Sequence, residues 1–460
     1  MTDQEKDTIA AISTTIGPGA IGIVRLSGPG CISIAKKIFH SHTPLPSRMP
    51  PSHELRLGHI LDGEKMLDEV LLVVMRAPHS YTRQDMVEIQ CHGGHATVRT
   101  ILDLVLRQGA RLAKPGEFTR LAFEAGRIDL SQAQAVAEII EARTDAALRS
   151  AVARLSGRLD EHIGTIKELL LQALSELEAV VDFPDEELGD LHRLIGTKIK
   201  EAQKITNRLL AGAKAARLYK EGLSVVIVGK PNVGKSSLFN RLLRTSRAIV
   251  TPEPGTTRDL IEETLSIEGV PVRLVDSAGL REARGQAERF GIEMAKNAME
   301  QANLALAVLD SSQPLQPEDQ DMIKSIELNE TPALYVLNKI DLPRKLNVSS
   351  LPMGKAKVVE TCATTGVGTQ QLSQAIAEKL LEKNISAPED ALVASARESD
   401  CMKRTNECLQ RAQHALDGGL DLETISIDLR DALNVLGELL GQTSDEDILE
   451  QIFSRFCIGK

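Results

Sequence analysis

The chain has 460 residues, a formal net charge of −10, 42% hydrophobic and 26% charged residues. That length exceeds one compact core, so about three domains of roughly 150 residues are expected. The negative balance excludes nucleic-acid binding by bulk attraction, because phosphate contacts need local Lys and Arg. No run approaches about 18 unbroken apolar residues, which excludes a membrane-spanning helix. The opening MTDQEKDTIA has acids and no apolar core, unlike a secretory signal, so the expected compartment is the cytoplasm.

Residues 1–118 read as an α+β domain. TIAAISTTIG, IGIVRLSG, LDEVLLVVMRAP and DMVEIQCHGG are β-rich runs broken by Gly and Pro, and VRTILDLVLRQGA reads as a helix ending at Gly109. Cys91, His92 and His95 fall close together in QCHGGH, but no second ligand pair accompanies them, and a Gly-rich turn is preferred to a metal site. After Pro115 the texture turns Ala- and Leu-rich with apolar residues at helical spacing, giving an all-α segment over 119–218. Cations outnumber acids from Lys198 to Lys220, and a solvated helix face accounts for them better than an RNA-binding surface.

Over 219–382, LSVVIVGK, VRLVDSAGL, LALAVLD, PALYVLNKID and KVVETCA each precede a helical pattern, which implies βαβ units and a mostly parallel sheet. Residues 383–460 are helical again. The economical arrangement inserts the α/β domain between two halves of one helical domain; two separate helical domains are the alternative. The six cysteines, Cys31, Cys91, Cys362, Cys401, Cys408 and Cys457, are scattered without a CxxC pair, as expected of reduced thiols.

The strongest chemical signal is GKPNVGKS, Gly229 to Ser236, between an apolar strand and the helical run SLFNRLL. That is the context of a phosphate-binding loop, whose backbone N–H groups and helix N-terminus surround phosphates. Asn232, Val233, Gly234, Lys235, Ser236 and Ser237 are its candidate contacts, with Lys235 on the β- and γ-phosphates and Ser236 on Mg²⁺. Downstream, Thr251, Pro252, Glu253, Pro254, Gly255, Thr256 and Thr257 form a candidate switch loop in which Thr257 completes Mg²⁺ coordination. Asp276, Ser277, Ala278 and Gly279 follow a strand; Asp276 would hold Mg²⁺ through water and the Gly279 N–H would sense the γ-phosphate. Asn338, Lys339, Ile340 and Asp341 end another strand, and the Asp341 carboxylate can accept from N1–H and the N2 amine of guanine. Adenine would leave that carboxylate unpaired. Cys362, Ala363 and Thr364 stand where a loop closes over the base.

Two details narrow the mechanism. Leu280 occupies the position after DxxG where many such hydrolases carry a water-orienting Gln. Asn232 lies inside the phosphate loop, where its amide oxygen could coordinate a monovalent cation that neutralises charge at the β–γ bridge.

GKPNVGKSSLFN, AIVTPEPGTTRD, DSAGLRE, NKID and the terminal FCIGK together resemble the MnmE/TrmE family of tRNA modification GTPases, over the whole chain. The resemblance implies a homodimer formed through the N-terminal domain, which is similar to folate-binding domains. That domain would hold a tetrahydrofolate derivative, 5-formyl- or 5,10-methylene-tetrahydrofolate, at Arg25, Glu88, Arg127 and Lys460. The third position is commonly Lys in the family, so Arg127 is a charge-preserving departure in a site of fixed geometry. The resemblance further implies K⁺ at Asn232, Thr251, the Glu253 backbone and Thr256, and Mg²⁺ at Ser236 and Thr257. Glu288 would position water indirectly, completing a catalytic set with Lys235 and Asn232. The implied assembly is a heterotetramer with a flavin-dependent tRNA uridine modification protein of the MnmG/GidA type. It installs an aminomethyl or carboxymethylaminomethyl group at carbon 5 of uridine 34 of certain tRNAs, with no membrane involved. A Cys457 thiol could attack the pyrimidine, but only Arg455 and Lys460 are nearby cations and no His is adjacent, so packing or positioning is preferred. The competing expectations are an Era-type ribosome-assembly GTPase, which would need a KH domain, and a folate-holding scaffold whose GTPase is only a switch.

Overall fold

The computed structural model describes residues 7–15, 17–42, 49–142, 144–182, 188–245, 262–267, 270–276, 299, 302–329, 331–351, 357–381, 390–419, 422–442 and 446–460. The chain folds into two compact units, Met1–Ala137 with Gly437–Lys460, and Glu138–Leu436. Residues 437–460, grouped in the sequence reading with the helices after 383, therefore cluster with the N-terminal unit. No helix of the described residues is long and apolar enough to cross a membrane.

The first unit is built on β1 (Ile9–Ile12), β2 (Ile21–Ser27), β3 (Phe39–Ser41), β4 (Leu55–Asp62), β5 (Lys65–Met75), β6 (Met86–His92) and β7 (Arg111–Leu112). They form one seven-stranded sheet in the order β3-β4-β5-β6-β2-β1-β7. Every pairing is antiparallel except β1 with β7. The β4–β5 hairpin turns at Gly63, whose φ of 64° is a conformation glycine adopts without steric cost. Helices α1 (Cys31–Ile38) and α2 (His95–Arg107) cover one face. There Val24, Leu26, Leu72, Val74, Val87 and Ile89 pack with Ile34, Ile38, Ile101 and Val105. Strand alternation turns Arg25 and Glu88 to the opposite face. There, α3 (Glu117–Glu124) packs Phe118 on Ile9, Ala11 and Met86. QCHGGH is the end of β6, the two-glycine corner and the first residue of α2; burial pushes the Cys91 thiol up to about 11.

After α4 (Leu130–Glu141), the second unit has α5 (Asp145–Leu155), α6 (Arg158–Asp182) and α7 (Leu188–Glu221), then a six-stranded sheet. Its strands are β8 (Leu223–Val228), β9 (Glu262–Ile267), β10 (Val270–Asp276), β11 (Leu304–Asp310), β12 (Ala333–Asn338) and β13 (Lys357–Glu360). The order is β13-β12-β11-β8-β10-β9, parallel throughout except for the β9 edge. β8 and β11 are buried along their whole length, as strands covered on both faces must be. α8 (Lys235–Thr245) and α10 (Thr369–Leu381) cover one face and α9 (Pro317–Leu328) the other. The chain then returns through α11 (Ala396–Asp417) and α12 (Leu422–Leu440).

Helices before and after the sheet share one core. Gly212 of α7 is so close to the Asp390 carbonyl that an added Cβ would meet it at 2.8 Å. Ala146, Ala215, Ala216, Ala391 and Ala394 close a small cluster between them. Beside it Arg154, fully buried, is paired with Glu138 and with Glu398 at 3.2 Å. Burial alone would raise the Glu398 carboxyl, but Arg154 and the Ser395 and Ala394 N–H groups outweigh it and hold it down.

Candidate nucleotide site and tail-closed groove

Leaving β8, the backbone must turn sharply into α8. It does so through Gly229, Asn232 and Gly234, at φ values of 157°, 64° and 98°. Asn is among the few residues with a side chain that tolerate this left-handed region. Gly229 also runs against β11, where an added Cβ would sit 2.5 Å from the Val308 carbonyl. Lys235, 7% exposed, folds back so that Nζ donates to the Lys230 carbonyl at 2.9 Å. Lys230 is itself anchored to Asp319 at 3.0 Å. Ser236 and Ser237 are exposed on the first turn of α8.

Three candidate segments converge on Asn338. Its Nδ2 donates to the Val233 carbonyl at 2.8 Å, and its Oδ1 accepts from the Ala363 N–H at 3.0 Å. A single amide thus ties the phosphate loop to the Cys362–Thr364 loop. Lys339, at φ 63°, pairs with Asp310 at 2.7 Å. Burial works to raise the Asp310 carboxyl, but bonds from Lys339 and Ser312 prevail and lower it. Ile340 donates its N–H to the Thr361 carbonyl at 3.3 Å. The exposed Asp341 carboxylate accepts from the Cys362 thiol at 3.1 Å, and the Thr364 and Thr365 hydroxyls lower that thiol's pKa. Arg241 braces this loop from α8, donating from Nε to the Ala363 carbonyl at 3.0 Å and from Nη2 to that of Thr364. Sequence reasoning missed Arg241, whose only signal is its position on the helix that the phosphate loop opens.

Asp276 is the last residue of β10, in register with Ile227 of β8, the strand that runs into the phosphate loop. Thr251, Pro252, Glu253, Pro254, Gly255, Thr256, Thr257, Ser277, Ala278, Gly279, Leu280 and Glu288 lie outside the described residues.

In the first unit, Arg25 and Glu88 are cross-strand partners on β2 and β6, with Nε 2.8 Å from Oε1 and each side chain 16% exposed. The C-terminal tail closes over them. Ile458 bridges Pro115, and the Gly459 carbonyl accepts from Arg25 Nη1 at 3.3 Å and from Ser13 Oγ at 3.0 Å. Lys460 lies within the same field: burial first, then Arg25, depress its pKa. Arg25 also stands 5.7 Å from the centroid of the Phe118 ring. Arg127 is not brought to this cluster by any contact described; it is exposed, stacked 4.8 Å over Tyr81 and donating to the Tyr81 carbonyl at 3.1 Å. Its planar guanidinium finds a ring face there, which a lysine would use less fully. Cys457, expected to pack or to position, is exposed.

Two family descriptions match the chain, "GTP-binding protein TrmE N-terminus" over residues 8–127 and "MnmE helical domain" over residues 130–457. A tRNA modification GTPase MnmE of Symbiobacterium thermophilum is 45% identical over 459 residues, covering 99% of this chain and 100% of the relative. Its counterpart in Chloroflexus aurantiacus is 46% identical, with 99% and 100% covered. That of Geotalea uraniireducens is 43% identical, with 99% of each covered.

Proposed function

The chain belongs to the MnmE family of tRNA modification GTPases and hydrolyses GTP, and from that premise we propose how its two sites serve the modification. The first unit holds a tetrahydrofolate carrying the one-carbon unit, and the second is activated by K⁺ and by pairing of two GTPase domains. With a flavin-dependent partner, a cytoplasmic homodimer adds an aminomethyl or carboxymethylaminomethyl group at carbon 5 of uridine 34 of tRNA. An Era-type role is not favoured, because the family descriptions together reach from residue 8 to residue 457.

The observation that carries the folate reading is the gathering of Arg25, Glu88 and Lys460 around Gly459. A partly buried guanidinium–carboxylate pair beside an ammonium offers donors and an acceptor on one wall, which fits both the amide-like edge and the glutamate of a folate. When bound, the folate would supply the one-carbon unit; the chain's own part is to orient it and exclude water beneath the tail.

In the GTPase domain, backbone N–H groups of the phosphate loop surround the phosphates and Lys235 places its charge beside them. Asp341 accepts the guanine N1–H and N2 amine, while Asn338 and Arg241 hold the loop that faces the base. Ser236 and Thr257, with Asp276 through water, would hold Mg²⁺, which neutralises phosphate charge. Asn232, Thr251, the Glu253 backbone and Thr256 would hold K⁺, an oxygen-rich donor set suited to a hard cation that supplies the charge of an arginine finger. Glu288 orients the attacking water indirectly.

Calorimetry with 5-formyltetrahydrofolate on the intact chain and on one lacking the last three residues tests the groove. Heat is expected only from the intact chain, and undetectable heat in both rejects the folate site. Hydrolysis at fixed ionic strength with K⁺ exchanged for Na⁺ tests activation. K⁺ should be the faster salt and Asn232→Ala should lose the difference while keeping GTP affinity; equal rates in the two salts for the intact chain reject the cation mechanism.

A further inference from the structure

The outer face of the N-terminal sheet carries, at its β3 edge, a set of imidazoles and a carboxylate that nucleotide and folate chemistry leave unused. Phe39, Ile60 and Val70 are buried among α1 and α2, so alternation puts His40, His59 and Glu69 on the other face. Register sets His40 opposite His59 and His59 opposite Glu69, so the three form one row across β3, β4 and β5. His42, whose N–H donates to the Leu57 carbonyl, lies two residues along on the same face.

The ligand atoms already converge. His42 Nε2 is 2.9 Å from Glu69 Oε1, and His59 Nε2 is 3.6 Å from the same oxygen. One atom from each of the three residues lies within 4.8 Å of the others. The two rings meet edge to face at 4.3 Å between centroids. Tetrahedral coordination with bonds of about 2.0–2.1 Å separates neighbouring ligand atoms by roughly 3.3 Å. The two observed separations bracket that value. A hydrogen-bonded surface pair would need only one histidine; the second ring turns its nitrogen to the same oxygen at a distance too long for a hydrogen bond.

We propose that His42, His59 and Glu69 form a binding site for a divalent transition metal of the zinc class, with His40 in register to supply a fourth ligand. Two or three imidazoles with one carboxylate suit Zn²⁺ and its neighbours, whereas Mg²⁺ and Ca²⁺ take all-oxygen sets. The ligands come from β4, β5 and the end of β3. The ion would therefore staple a three-residue edge strand to the two strands beside it.

The test uses the full chain, stripped with chelator, in a Cys457→Ser background that removes the exposed thiol. GDP and Mg²⁺ are kept saturating so that the phosphate site is filled. Zinc titration should show one equivalent bound at micromolar concentration, and Co²⁺ should give the visible absorption of a four- or five-coordinate nitrogen–oxygen site. His59→Asn and Glu69→Gln should each weaken zinc binding at least tenfold while metal-free backbone hydrogen exchange of strands β2 and β6 stays at the parent rate, which certifies that the sheet is folded. Should either variant lose that protection, His42→Gln at the exposed edge carries the same readout. Hydrogen exchange of the backbone at 39–42 should slow with zinc in the parent and not in the variants. No uptake by the parent at these concentrations, or uptake by the variants as tight as the parent's, overturns the site.

Discussion

Asn338→Ala should weaken GTP and GDP alike. The side chain is 2% exposed and ties the phosphate loop to the Cys362–Thr364 loop. Its orientation is fixed by its partners, since the Val233 carbonyl can only accept and the Ala363 N–H can only donate. The substitution strands both backbone groups in a buried place. An orphaned buried polar group costs about 1–3 kcal/mol, so the pair costs roughly 2–6 kcal/mol. If only the lower figure reaches the bound state, it is about a thirtyfold loss of affinity. The proposed binding mode sets neither Val233 nor Ala363 against the γ-phosphate, so the loss should be equal for the two nucleotides. Asn338→Asp keeps the acceptor toward Ala363 but sets an oxygen against the Val233 carbonyl, so it isolates the Nδ2 half of the tie. Fluorescent-nucleotide titration, with thermal unfolding run in parallel, measures both terms. Affinities within threefold of the parent and an unchanged Tm would refute the bridging role.

Asp341→Asn should shift preference from GTP toward xanthosine triphosphate, at a cost to GTP of roughly 1.5–3 kcal/mol for a charged hydrogen-bonding partner; side-by-side titration of the two nucleotides checks it. Gly459→Ala should displace the tail, because φ is 99° and an added Cβ would overlap the Ile12 carbonyl, so 5-formyltetrahydrofolate heat should fall at least tenfold with GTP affinity intact. Tail docking should also strengthen as pH rises. Lys460 is depressed below 10.5 when docked, so the undocked chain binds more protons, and docking gains up to pH 10.5 and weakens as pH falls through the lowered value. Protease protection of the last residues against pH reads this, and a flat profile sinks it. Arg154→Ala should destabilise the second unit by about 3–5 kcal/mol, since Glu138 and Glu398 are left as partly and fully buried carboxylates; a melt should show it, and adding Glu398→Gln should recover part.

The nucleotide-binding elements were legible because each is local. A strand, a glycine-rich corner and a helix start fall within about twenty residues, and hydrophobic runs marked β8, β10, β11, β12 and β13. β4 was not read as a strand. Leu55 and Leu57 occupy its outer face and are exposed, so the alternation that marks a half-buried strand is blurred. β9 escaped notice because an edge strand reading EETLSI carries too few apolar residues to stand out. The Arg25–Glu88 pairing was out of reach of spacing arguments: it depends on the register of β2 against β6, and the contact with Gly459 joins residues 434 apart. Resemblance named Arg25, Glu88 and Lys460, yet only the register and the tail bring them together. Arg127, also carried by resemblance, stacks on Tyr81, which itself packs against the Phe118 cluster beneath Arg25.

The tail's place on the sheet also has a consequence during synthesis. Residues 9–112 leave the ribosome first, and they contain every strand of the seven-stranded sheet. Ile458 and Gly459 follow only after the whole intervening unit has been made. A nascent or clipped chain ending anywhere between 138 and 456 can thus possess a folded sheet and a paired Arg25, but no carbonyl for Arg25 Nη1 and no ammonium beside it. Completion of the Arg25–Gly459 contact is in this way a report that translation has passed through the GTPase domain.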